Sequence, residues 1–185
     1  MPHVVVVASV DESARLGEDV SVYLARIVLA KLDAVQRSLP PELAAGALAT
    51  LTADTSVLLD GEILGKPASV VEAEQMIGRL AGRTHEVHTR FAVAARRIGE
   101  SATSGAPGAV HAETVVTRVT FRVLSSQQAR AYAQSGEGLD KAGAYAVQGL
   151  GASIVSNIDG SYTNVVGLPA CEVVLALTNM GLLPA

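Results

Sequence analysis

A chain of 185 residues with 49% apolar residues, a mean hydropathy of +0.35 and only 17% charged residues can bury a core, which excludes a disordered chain. Fourteen Lys and Arg against eighteen Asp and Glu leave a formal charge of −4, which disfavours a general nucleic-acid-binding surface. One cysteine, Cys171, excludes an internal disulfide and a multi-cysteine zinc site, and fits a reducing cytoplasm.

The first apolar run, Val4 to Ala8, is β-branched and predicts a buried strand. It is far below the roughly 20 residues of a membrane span, and no basic segment with an apolar signal core precedes it. A cytoplasmic protein without a membrane partner is therefore expected. Ser9 to Asp19 is polar and reads as a loop. Val20 to Arg37 lacks Gly and Pro and places Val20, Leu24, Ile27, Val28, Leu32 and Val35 at helical spacing. Pro40-Pro41 stops that helix. Residues 42–50 are Ala-rich and take no firm assignment.

Ser56–Leu59, Asp60-Gly61 and Glu62–Leu64 predict strand, tight turn and strand, since Gly accepts positive φ. Ser69 with Glu72 three residues on is a capping-box pattern, opening a helix to about Leu80 that Gly82 ends. Glu86–Arg97 and Ala112–Val123 read as strands; the second alternates Val115, Thr117, Val119, Phe121 and Val123 against Val116, Arg118, Thr120 and Arg122. Gly99–Gly108 between them predicts a hairpin tip. Ser125 starts a helix to about Gln134. A Gly-rich stretch, Gly136–Gly151, precedes a strand at Ser153–Ile158. Pro169 opens a last helix to about Asn179, stopped by Gly181. Helices and strands alternate, so the fold class is α/β, or α+β with a mixed sheet, in one domain over residues 1–185.

Several polar residues sit where charge is costly unless used. Asp54, at a strand start, can hold a divalent metal or activate water, or be an ordinary turn residue. Lys66, between Gly65 and Pro67, can act as a point charge for phosphate, or be a solvated loop lysine. Asp140-Lys141 followed by small residues and Gln148 forms a segment that can close on a ligand. Gln148 offers both a donor and an acceptor, as a base edge requires. Asp11-Glu12 follows the first strand, where paired carboxylates suit Mg²⁺. Tyr23, Arg26 and Lys31 share an arc of about 140° on one helix, at about 100° per residue. That allows a basic face toward a polyphosphate; a solvated face is the commoner alternative. His85 and His88 point to opposite faces of a strand, which argues against a shared metal. With His3, His111 and Cys171 they are read as structural.

Taken together, Ala53-Asp54-Thr55, Asp60-Gly61-Glu62-Ile63-Leu64-Gly65-Lys66-Pro67 and Leu80 to Val87 resemble the Maf family of nucleoside triphosphate pyrophosphatases. Asp140 to Gly149 and Asp159-Gly160-Ser161-Tyr162-Thr163-Asn164-Val165-Val166-Gly167-Leu168-Pro169 extend the resemblance over nearly the whole chain, in order. It implies an elongated two-lobed fold with a central cleft, like inosine triphosphate pyrophosphatases. It also implies hydrolysis of a nucleoside triphosphate to monophosphate and pyrophosphate with Mg²⁺ or Mn²⁺. Asp140-Lys141-Ala142-Gly143-Ala144-Tyr145 ending in Gln148-Gly149 is similar to the dTTP- and UTP-hydrolysing subgroup, not to the 7-methyl-GTP subgroup. Position by position, Asp54 resembles the proton acceptor and a metal ligand, and Glu12 a second acidic metal contact. Lys31 and Lys66 resemble phosphate-binding lysines. Thr55 and Gln148 resemble specificity positions, with Lys141 and Arg26 as further substrate contacts.

One departure is plain. Family members open with a strand and a Ser-x-Ser-Pro-Arg-Arg loop that grips the substrate, and residues 1–185 contain no match to it. The resemblance then implies weak or absent hydrolysis of dTTP and UTP, and an unpaired edge at Val4–Ala8 through which a homodimer could form. Arg26 and Arg83 are the first candidates for a replacement phosphate grip. The alternative is a nucleotide-binding, septum-related regulatory protein that has lost turnover. A nucleic-acid-binding module is the weakest reading, because an aromatic stacking platform is missing.

Overall fold

The computed structural model describes residues 3–96 and 109–184. The helices are α1 (Val20–Ser38), α2 (Pro41–Gly46), α3 (Val70–Leu80), α4 (Ser126–Gln134), α5 (Tyr162–Val166) and α6 (Ala170–Asn179). The strands are β1 (Ala49–Leu59), β2 (Glu62–Leu64), β3 (Thr84–Ala95), β4 (Val110–Phe121) and β5 (Val155–Asp159), in the order β2-β1-β3-β4-β5. β1 and β2, and β4 and β5, pair antiparallel. The backbone bonds Phe121 N–H to Arg83 O and Ala95 N–H to Ala109 O run β3 and β4 in opposite directions as well. The expected mixed class of helices and strands is present.

The described residues divide into two compact units. The first takes those of Met1–Asp54, Arg90–Thr114 and Cys171–Ala185. In it α1 lays Val28 and Leu32 on Ala92, Ala94 and Ala112, small residues that let a helix approach a sheet closely. Asp19 caps α1 by accepting the Ser21 N–H at 2.8 Å, and the helix stops at Ser38, just before Pro40-Pro41. The second unit takes Thr55–Thr89 and Val115–Ala170. Its core joins Val57, Leu59 and Leu64 to Ile77 and Leu80 of α3, Val87, Val119 and Phe121 of the strands, and Ala129 and Tyr132 of α4.

Local chemistry explains most boundaries. Asp60 (φ +53°) and Gly61 (φ +82°) both take the left-handed region that a two-residue hairpin demands. Ser69 accepts the Glu72 N–H, but the Glu72 carboxylate reaches the Ala68 N–H rather than closing the box on Ser69. Ser125 and Gln128 do form the reciprocal box on α4. Along β4, Thr117, Val119 and Phe121 are buried and Val116 and Arg118 exposed, as the alternation requires.

One expectation is corrected. Val4–Ala8 is not a strand: these residues carry no regular structure, and Val4, Val5 and Val7 are exposed. A β-branched run favours extended backbone, but a strand exists only in a ladder, and no described strand runs beside it. Pairing of two copies through that edge loses its basis. Residues 42–50, unassigned from sequence, hold most of α2 and the start of β1. After Asp159-Gly160, Ser161 caps α5 by accepting the Asn164 N–H. The Gly99–Gly108 hairpin-tip expectation, like the rest of residues 97–108, lies outside the described residues. Among the described residues no helix is long and apolar enough to cross a membrane.

Candidate active site

In the first unit the structure joins Glu12, Lys31 and Asp54. Thr52 and Asp54 lie two apart on β1 and share a face. Thr52 donates to Val28 O of α1 at 3.0 Å, which fixes β1 against the helix. One turn along α1, the Lys31 ammonium reaches Asp54 Oδ1 at 2.7 Å and Glu12 Oε1 at 2.7 Å. Lys31 and Asp54 are largely shielded, with side chains 18% and 14% exposed, while Glu12 is 43% exposed. Burial alone would lower the lysine pKa. The hydrogen bonds to Asp54 and Glu12 outweigh it and hold Lys31 above its ordinary value, as a fixed cation.

Glu12 belongs to a loop, and α1 holds that loop in place. Tyr23 donates its hydroxyl to Glu12 O at 3.0 Å. Arg26 donates to both oxygens of Glu18, at 2.8 and 2.7 Å, and to Ser13 O at 2.9 Å. The Arg26 hydrogen bond brings the Glu18 carboxyl down to about 2. Burial, then the charges of Asp54 and Glu12, push the Tyr23 phenol up. The basic arc of Tyr23, Arg26 and Lys31 is thus turned toward the acidic loop, and Arg26 is engaged with protein groups. Glu18 was not legible as its partner, because no local pattern marks it.

In the second unit Gly143 N–H donates to Gly65 O at 3.1 Å, which ties the turn carrying Lys66 to the Gly-rich segment. Gly143 has φ +70°, and a Cβ there would lie 2.9 Å from the Val57 side chain. Lys141 pairs with Asp140 at 2.8 Å. That bond, followed by the weaker pull of Lys66, holds the Asp140 carboxyl low. Lys66 and Gln148 are exposed. Thr55 is half-buried, its hydroxyl 2.8 Å from Thr89 Oγ1 and 3.3 Å from Gly167 O. Thr89 in turn donates to Asn164 O at 3.1 Å. Asn164 is fully buried and donates to Val87 O and Thr117 Oγ1. It lies inside a quoted motif, but nothing in the sequence marked it as the tie for this network. Arg83, the other candidate grip, donates to both oxygens of Asp60 at 2.7 Å.

His85 and His88 do face opposite ways. His85 is buried, hydrogen-bonded to the Tyr145 hydroxyl at 2.8 Å, and edge-on to Phe121; burial lowers it to about 4. His88, only partly buried, pairs with Glu86. Cys171 is exposed. A cavity of about 370 Å³ is lined by Glu86, Val116, Arg118, Asp159 and Gly160, with Asp159 already paired to Arg118. It contains none of the predicted site residues. Among the described residues no group of three or more His, Cys, Asp or Glu is arranged to hold a metal ion.

The Maf-like protein family matches residues 1–180. Over 177 residues, 95% of this chain and 80% of its relative, the sequence is 45% identical to a dTTP/UTP pyrophosphatase of Myxococcus xanthus (strain DK1622). It is 45% identical over 179 residues, 97% and 85% of the two chains, to a dTTP/UTP pyrophosphatase of Geobacter sp. (strain M21). The dTTP/UTP pyrophosphatase of Symbiobacterium thermophilum is 43% identical over 181 residues, 98% and 84% of the two chains.

Proposed function

We propose that this chain, which belongs to the Maf family, hydrolyses dTTP and UTP to the nucleoside monophosphate and pyrophosphate. The observation that carries the reading is the grouping of Asp54, Lys31 and Glu12: a shielded carboxylate and a second acid held on one fixed ammonium. Asp54 takes the proton of the attacking water, whose oxygen bonds to phosphorus as the bridge between the α- and β-phosphates breaks. The pyrophosphate leaves with the electron pair of that bridge. Lys31, kept protonated, and Lys66 offset the charge that grows on the phosphate oxygens. Gln148 presents its amide to the pyrimidine edge, with Lys141 of the same Gly-rich segment and Thr55 of β1 as further substrate contacts.

A divalent cation, Mg²⁺ or Mn²⁺, fits the donor set. Glu12 and Asp54 supply hard carboxylate oxygens that already converge on one positive centre, and Mg²⁺ takes one or two carboxylates and fills its remaining positions with water and phosphate oxygens. Bound there, it would neutralise phosphate charge and make water a better nucleophile.

The test is pyrophosphate release from dTTP, UTP, CTP and GTP with Mg²⁺, by the chain and by Asp54→Asn. Preference for dTTP and UTP is expected. The amide keeps the shape of Asp54 but cannot accept the proton, so the rate should fall ~10²–10⁴-fold with the fold intact. An Asp54→Asn enzyme that keeps more than about a tenth of the rate would remove Asp54 from this role.

A further inference from the structure

The stretch from Glu137 to Ser153 contains only short 3₁₀ turns, yet one carboxylate gathers much of its backbone. Glu137 Oε1 accepts the Leu150 N–H at 2.8 Å, and Oε2 accepts the Gly151 N–H at 2.8 Å. Oε2 also accepts the Tyr132 hydroxyl at 2.8 Å, and that oxygen accepts the Ala146 N–H at 3.1 Å. Three amides on either side of Gln148 therefore converge on one Glu–Tyr pair anchored at the end of α4. The steric evidence agrees. A Cβ at Gly149, which has φ +64°, would lie 2.1 Å from Glu137 Oε1. A Cβ at Gly151 would lie 1.7 Å from Ala146 O. The two glycines that follow Gln148 leave the space that the carboxylate and the folded-back chain occupy.

We propose that Glu137, with Tyr132, is a positioning residue for Gln148: it sets the backbone from which Gln148 reads the base, without touching the substrate. This rests on the base-reading role of Gln148 given above. Burial opposes the charge of Glu137, but the bonds from Tyr132, Leu150 and Gly151 outweigh it and hold the carboxyl below its ordinary range. It is thus an ionised acceptor serving three donors, a pattern an amide cannot reproduce. In Glu137→Gln one oxygen becomes an NH₂ that confronts a backbone N–H.

The experiment compares the full chain with Glu137→Gln, Gln148→Ala and the double variant. It measures kcat and KM on dTTP and CTP, and hydrogen exchange of the amides at 146–151. Glu137→Gln should raise KM for dTTP and cut the dTTP-over-CTP preference by about tenfold, within the ~10²-fold that a 1 Å misplacement can cost, while kcat falls less. Exchange at 146–151 should quicken. In the Gln148→Ala background Glu137→Gln should change the preference no further. Unchanged preference in Glu137→Gln, or a fall in kcat alone, overturns the proposal, as does full additivity in the double variant. Unchanged preference in Gln148→Ala by itself shows that the base-reading role has failed, and the proposal goes with it. If Glu137→Gln does not fold, Tyr132→Phe carries the same test, because it removes one donor to the carboxylate and the acceptor for Ala146 while leaving the charge in place.

Discussion

Replacing Lys31 with Met tests the acid–lysine group without reference to turnover. Met keeps the length and apolar stem of a side chain that is 18% exposed, so packing changes little. What is lost is the ammonium between two carboxylates. Each carboxylate oxygen lies 2.7 Å from Nζ, which puts the two about 5 Å apart, where unit charges repel by about 3 kcal/mol at an effective dielectric of ~20. Glu12 is 43% exposed and can turn to solvent, so about 1–2 kcal/mol of destabilisation at pH 7.5 is expected, or a drop of about 2–8 °C in Tm for a chain of this size. Mg²⁺ should raise the Tm of Lys31→Met more than that of the wild type, since the two carboxylates then face each other without the ammonium between them. Thermal denaturation of both proteins at pH 7.5, with EDTA and with Mg²⁺, reads both effects. Equal Tm values in EDTA, or equal shifts with Mg²⁺, would refute the reasoning.

Gln148→Glu removes the donor that a pyrimidine carbonyl requires, so base choice among dTTP, UTP, CTP and GTP should shift more than the phosphate chemistry slows; unchanged relative rates would exclude Gln148 from base reading. His85, lowered to about 4 by burial from an ordinary 6.5, stays neutral in the folded chain while the unfolded chain takes up a proton. Its stabilising contribution is therefore complete above pH 6.5 and declines between pH 6.5 and 4, by an amount on the order of 3 kcal/mol. Denaturant titrations of the wild type and His85→Gln across that window should diverge toward acid, and parallel curves would show that His85 does not titrate between the two states.

Local chemistry carried well from sequence into structure. The spacing of Leu24, Ile27, Val28 and Leu32 made α1 legible, and Asp60-Gly61, Ser125 and Gly181 marked turns and ends, because caps and positive-φ positions depend on only a few neighbouring residues. Asp54, Lys31 and Glu12 were legible as chemistry through residue type and family resemblance. Their grouping was not, since it depends on Thr52 fastening β1 to α1 and on Tyr23 holding Glu12 O, contacts between residues far apart in the chain. Val4–Ala8 shows the converse. Its β-branched composition reads as a strand, but strand formation is a property of two chain segments, and no described strand runs beside it. Glu18, Glu137 and Asn164 escaped for the same reason. A carboxylate that serves two backbone amides and a tyrosine hydroxyl, or a buried amide that ties two strands, looks in sequence like any other Glu or Asn. Sequence by itself determined which segments could be helix or strand and which side chains could do phosphate chemistry. Only the tertiary structure decided which of those side chains meet, because burial and long-range hydrogen bonds, not local propensity, set their partners.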